Sequence, residues 1–88
     1  MNAADFSEQL RKQGFTTLVE VSRAANGGLG QHGHPFQSKA LILEGDLTLV
    51  IEGVESHYAV GEVFELSYEQ QHAERYGPNG VKYLVGRR

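Results

Sequence analysis

Three histidines carry the chemistry that this sequence offers. His32 and His34 are two residues apart, and side chains two apart on an extended strand point to the same face. Two imidazoles on one face can grip a metal ion, and His72, beyond a strongly β-patterned stretch, can complete the site if the sheet folds over it. Neutral imidazole suits Zn, Fe, Cu or Ni and does not choose among them. Three such ligands leave positions open for water, substrate or oxygen, which is the arrangement of a catalytic centre rather than a closed structural one. The chain has four histidines and no cysteine, so thiolate metal sites and thiol nucleophiles are excluded. His57 lies outside the arrangement and reads as a surface or hairpin residue.

Glu74 is the carboxylate closest in sequence to the third histidine. Residues 72 and 74 share strand parity, so both face one side of a regular strand. Glu74 is the candidate catalytic residue, as a general base, with two other roles open to it: partner to a ligating imidazole, or fourth ligand. The plainer alternative is a surface pair with Arg75. Gln31, Gln37 and Gln71 flank the histidines and can hydrogen-bond a substrate. Arg87 and Arg88 read as solvated charges. Phe36, Tyr58, Phe64, Tyr68, Tyr76 and Tyr83 supply aromatic bulk, mostly for core packing.

These residues need a scaffold of strands. Residues 5–13 read as a short helix, with Asp5 as its N-cap, Phe6 and Leu10 as an apolar i,i+4 pair, and Gly14 as its stop. Everything after Gly14 reads as strand and turn. Strands are expected over 15–21, 39–43, 47–51, 56–60, 63–66 and 81–85. Turns are expected at Glu44-Gly45-Asp46, Glu52-Gly53, Gly61-Glu62 and Gly77-Pro78-Asn79-Gly80, and a flexible loop over 26–30. Many short strands with glycine turns predict an all-β sandwich or barrel. If one strand runs through the first motif, His32, His34, Ser38, Ala40 and Ile42 share a face, with Lys39, Leu41 and Leu43 on the other. The second face is apolar too. It is covered either by the helix or a loop, or by a second copy of the chain.

At 88 residues the chain reads as a single domain, 1–88. Hydrophobic content of 40% and charged content of 22% are those of a folded domain. A net charge of −3 and a pI of about 5.7 argue against nucleic acid as a partner. No apolar run has the length of a membrane span, and the first residues lack the basic and apolar pattern of a signal peptide. The expectation is a cytoplasmic protein with no membrane partner. With no disulfides and little core, a metal or a partner subunit would help it fold, and a homodimer is expected.

The two histidine segments resemble the paired motifs of the cupins. The first reads GLGQHGHPFQSKALILEGD, with His32 and His34 as its His-x-His and Gly45 as its closing glycine. The second reads GEVFELSYEQQHAERY, opening at Gly61 and holding His72. The resemblance covers residues 28–85 and implies a double-stranded β-helix, or jelly-roll barrel, carrying a short N-terminal helix. It implies a divalent transition metal (Zn, Fe, Ni, Mn or Cu) on His32, His34 and His72. The family's metal-binding glutamate falls on Ser38 or Lys39 here, and neither is a carboxylate. The second motif has Ser67, Glu69 and Tyr76 where the pattern has proline, glycine and asparagine, and the glycine ahead of the histidines is offset to Gly27. The chain is thus similar to those cupin dioxygenases that use three histidines alone. A missing carboxylate leaves more net positive charge on the site, which favours an anionic ligand and more acidic bound water. The function expected is a metal-dependent enzyme, of oxygenase or isomerase type, on a small polar or anionic molecule. The alternatives are a metal- or ligand-binding sensor without turnover, and a structural barrel that has lost its metal.

Overall fold

The computed structural model describes all residues, Met1–Arg88. One helix, α1 (Ala3–Lys12), precedes six strands: β1 (Thr17–Arg23), β2 (Gly28–His32), β3 (Ser38–Ile51), β4 (Val54–Ala59), β5 (Val63–Leu66) and β6 (His72–Arg87). All pairings are antiparallel.

Two long strands organise the rest. β3 and β6 pair along most of their length, and each takes a different second partner at each end. β3 pairs with β5 over Ser38–Leu41 and with β4 over Asp46–Ile51. β6 pairs with β2 over its first residues and with β1 over Val81–Arg87. A single pair of strands thereby rolls into two facing layers. The roll needs a bend, and Gly45 supplies it. Its φ is +71°, and a Cβ there would stand 2.0 Å from the Gly80 carbonyl oxygen, so only glycine fits. The register jumps from Gly45↔Val81 to Leu47↔Tyr76. Glu44-Gly45-Asp46 and Gly77-Pro78-Asn79-Gly80 are therefore not the turns expected. Both are bulges, opposed to each other, inside continuous strands. Glycine's positive φ serves a bulge as well as a turn, and the ladder on either side, Ile42↔Tyr83 and Leu47↔Tyr76, holds the strands together. The turn at Glu52-Gly53 forms as expected, with φ of 51° and 78°.

The inner face follows a period of two. His72, Glu74 and Tyr76, then Val81, Tyr83 and Val85, are buried along β6. Of these, Tyr76, Val81, Tyr83 and Val85 meet Ala40, Ile42, Leu47 and Leu49 of β3 and Phe64 and Leu66 of β5 in the main core. Tyr68 stands exposed.

The outer face of β3 has its own cover. Phe6 and Leu10 of α1 are fully buried against Leu41 and Phe15, with Leu43 and Leu84 alongside. Each such side chain is worth roughly 1.5–3 kcal/mol when buried, which a ten-residue helix needs to persist in water. The helix starts earlier than expected. Its N-cap is Asn2, whose side-chain oxygen accepts from the Asp5 N–H at 2.9 Å. Asp5 sits in the first turn instead, where its charge favours the helix dipole.

Candidate metal centre

His32 ends β2, and His72 begins β6. The two are directly opposed across the strand pair, which brings their rings to a centroid distance of 4.2 Å. Close approach of the strands depends on Gly28, where a Cβ would fall 2.7 Å from the Glu74 carbonyl oxygen. His34 is not on the strand. It lies in the connection between β2 and β3, and the chain there returns the ring to 4.9 Å from His32 and 5.5 Å from His72. One nitrogen of each of the three falls within 4.8 Å of the others. The expected trio thus comes together, although not through one regular strand.

The hydrogen bonds fix which nitrogens face inward. His32 Nδ1 lies 2.6 Å from the Gly30 carbonyl oxygen, and His72 Nδ1 lies 2.9 Å from that of Gln70. A carbonyl only accepts, so both Nδ1 atoms carry the proton and donate. In the neutral rings each Nε2 is then a bare lone pair. Both Nε2 atoms are buried and without a hydrogen-bond partner. Orienting a ligating histidine by its second nitrogen is the usual support of a metal site. His34 is held below the ordinary histidine pKa by burial first, then by His32 and His72, so its ring is neutral and offers a lone pair at neutral pH.

Glu74 joins them. Its carboxylate is 6% exposed, and Oε2 lies 3.3 Å from His72 Nε2 and 3.5 Å from His32 Nε2. The shared parity of 72 and 74 therefore places both inside, and Arg75 pairs with Glu55 instead. Two lone pairs and a carboxylate oxygen converge with nothing positive among them, and a cation would satisfy all three. The spacing suits one ion: atoms bound at about 2.1 Å with tetrahedral angles stand roughly 3.4 Å apart. The residues present fit a divalent metal. Glu74 Oε1 accepts from the Tyr76 hydroxyl at 3.2 Å. Burial, then the Glu74 charge, raises the Tyr76 pKa above the ordinary phenol value, so Tyr76 stays a donor.

The histidines open onto a cavity of about 70 Å³, lined among others by His32, His34, Ser38, Glu74, Phe36 and Arg87. His72, 1% exposed, sits behind it. Of the two positions at which the sequence pattern has its glutamate, Ser38 is the one that lines the cavity. Lys39 points to the other face, bonded to Gln13 and 3.7 Å from Glu65. Ser38 offers only a hydroxyl.

His57 is the surface hairpin residue expected, exposed on β4 and bonded to Asp46 Oδ2 at 2.6 Å, away from the site. Other expectations resolve differently. Gln37 bonds Arg88 and the backbone at its own end of the barrel, and Gln71 contacts the Glu69 carbonyl. None of the three glutamines lines the cavity. Arg88 lies over the Phe15 ring at 4.5 Å. Arg87 is not a free surface charge: it is half-buried, it lies 4.7 Å over Phe36, and it lines the cavity. Its signal was in the sequence, since 87 continues the inward parity of Val81, Tyr83 and Val85.

No protein-family model and no curated sequence matches the chain. Solved structures do. A cupin of the RmlC-like type from Shewanella frigidimarina superposes with a TM-score of 0.69 at 15% identity, over 81% of this chain and 64% of its own. The polyketide cyclase RemF from Streptomyces resistomycificus gives 0.69 at 25% identity, over 81% and 53%. The DMSP lyase DddQ from Ruegeria pomeroyi gives 0.73 at 24% identity, over 81% and 36%. The chain thus spans less than two thirds of the length of each. No helix is long and apolar enough to cross a membrane. Paired long strands rolled into a barrel, the inward histidines and these superpositions together make this chain a small domain of the cupin jelly-roll fold.

Proposed function

We propose that this domain is a metal-dependent enzyme acting on a small anionic molecule, with His32, His34 and His72 as the ligands of a divalent transition metal (Zn, Fe, Ni, Mn or Cu). The observation that carries the reading is the pair of buried, unpartnered Nε2 lone pairs facing the Glu74 carboxylate. When bound, the ion would supply Lewis-acid polarisation of a substrate oxygen. Glu74 is the proton carrier of this reading. The Tyr76 hydroxyl holds Oε1, and Oε2 is left facing the histidines, at a spacing that also lets it share the ion. His32 and His72 hold their lone pairs inward through their carbonyl-bound Nδ1–H groups. Ser38 offers a hydroxyl to a bound water or substrate. A base beside three imidazoles suits isomerase-type chemistry, in which a proton is removed and returned at carbon. Two of the similar structures are enzymes, a cyclase and a lyase, which supports turnover. A homodimer is the proposed assembly, and the cytoplasm the proposed location.

The test starts with metal analysis of protein purified without an affinity tag. Stoichiometric metal is expected, or its uptake on adding Zn, Fe, Ni, Mn or Cu. Metal-loaded protein is then incubated with small organic acids in deuterated water, and exchange at carbon is followed by NMR. Failure to bind any of these metals would sink the reading. Metal binding with no exchange of any acid would favour a sensor without turnover.

A further inference from the structure

Arg87 is a cation without a counterion. Arg11, Lys39, Arg75 and Lys82 each stand 3.7 Å or less from a carboxylate oxygen, and Arg87 has no such neighbour. Its Nε is buried and makes no hydrogen bond. Its guanidinium lies 4.7 Å over Phe36, whose ring stacks on His34 at 5.1 Å and 16°. A buried N–H left unpaired is costly, and a native structure that keeps one calls for an explanation. Arg23, at the end of β1, lines the same cavity and likewise has no carboxylate partner. Val21, Leu66 and Val85 supply apolar wall between them. The arrangement has the parts of an anion site: a half-buried guanidinium over an aromatic ring, a second cation, and apolar wall residues beside them.

We infer that Arg87, with Arg23, binds the carboxylate of a small organic acid whose other end faces His32 and His34. Charge selects the class. A guanidinium fork pairs with two oxygens of a carboxylate or of a phosphate. The cavity of about 70 Å³ is small. Glu74 lines it and repels the more highly charged phosphate more than a singly charged carboxylate. The acid therefore seats at the Arg87 end, and a cation among the histidines offsets the Glu74 charge. The inference rests on the proposed metal reading only for what the acid's far end meets; the Arg87 contact stands on its own observations.

The test uses the ¹⁵N-labelled 88-residue chain and follows the Arg87 side-chain Nε–H signal by NMR, in metal-free and zinc-treated samples of measured zinc content. The probes are acetate, its neutral isostere acetamide, and inorganic phosphate. Acetate is expected to move the signal saturably, more tightly in the zinc sample, while acetamide does not and phosphate binds about ten-fold more weakly or worse. Arg87→Gln is expected to weaken acetate binding about ten-fold or more, seen at backbone amides of the cavity. Arg87→Lys, which keeps the charge and loses the fork, is expected to weaken it too and serves if the first variant does not fold. An unmoved Arg87 signal, an equal response to acetamide, or tighter binding of phosphate overturns the inference. Acetate binding in a protein that takes up no metal upholds the Arg87 site and sinks the metal reading. Metal uptake with no acetate response does the reverse.

Discussion

At the scale of residues, the site is defined by which atoms are left without partners. Two carbonyls, those of Gly30 and Gln70, commit the Nδ1 protons of His32 and His72, and everything else about the centre follows from the lone pairs this leaves. Glu74 is the residue whose role a substitution separates best. Glu74→Gln keeps the shape and removes the charge. We expect it to lower metal affinity by about 10–100-fold, the usual range for a group that supports a metal site, as measured by competition with a chelator. Exchange of substrate protons should fall further than metal loss explains, and full exchange in the metal-saturated variant would exclude Glu74 as base. His34 gives a pH signature in the metal-free protein. Burial and its two neighbours lower its pKa in the fold, so the unfolded chain takes up the proton first as pH falls. Stability is then complete above the ordinary histidine value of about 6.5 and declines as pH drops through it toward the depressed native pKa. Urea unfolding between neutral pH and pH 5 should show that decline, and His34→Gln should flatten it. An unchanged slope in the variant would assign the decline to other groups.

At the scale of elements, the decisive feature is the bulge shared by β3 and β6. It divides the strand pair into two halves that both feed the main core, with Ile42 and Tyr83 on one side, Leu47 and Tyr76 on the other, and His72 and Glu74 in the second half. Gly45→Ala places a Cβ against the Gly80 carbonyl and forces alanine to a φ of +71°. We expect a loss of about 3 kcal/mol in folding stability, read by chemical denaturation, with Gly53→Ala, which meets open space in an exposed turn, costing less. Equal effects would show that close approach at Gly45 does not matter. The same element shows where sequence reading reaches its end. Parity alone placed Ala40 and Ile42 inside, put Glu74 beside His72, and set Leu41 on the other face, because period two survives any change of partner strand. Parity could not tell the bulges at 44–46 and 77–80 from turns, since a local glycine signal is common to both and only the long-range ladder decides. It also could not show that Phe36 would turn a C-terminal arginine into a cavity wall, which takes a contact across the whole chain. The same parity put Ser38 with Ala40 and Ile42 and Lys39 on the opposite face, and Ser38 is the one that lines the cavity.

At the scale of the whole molecule, the question is what covers the apolar surface. The outer face of Leu41 and Leu43 gave reason to expect a second copy of the chain, yet α1 of the same chain already lies on it through Phe6 and Leu10. The case for a homodimer therefore moves to the sheet edges. β1 and β4 end the strand order, and Leu18 and Val54 stand exposed on them, with Val60 just beyond β4. An unpaired edge bearing apolar side chains and no proline or lysine is open to pairing with another strand, and β4 (VESHYA) has neither. β4 is also the edge farther from the metal centre in the sheet order, so pairing there would leave the cavity free. Sedimentation velocity at micromolar concentration is expected to give twice the 9.7 kDa chain mass, and Val54→Lys to shift it toward the single chain without changing metal content. If Val54→Lys leaves the mass doubled while a lysine at Leu18 halves it, the pairing edge is β1. A wild-type protein that sediments as one chain removes the dimer altogether, and the strand ladders and the two core clusters of a single chain must then close this small barrel.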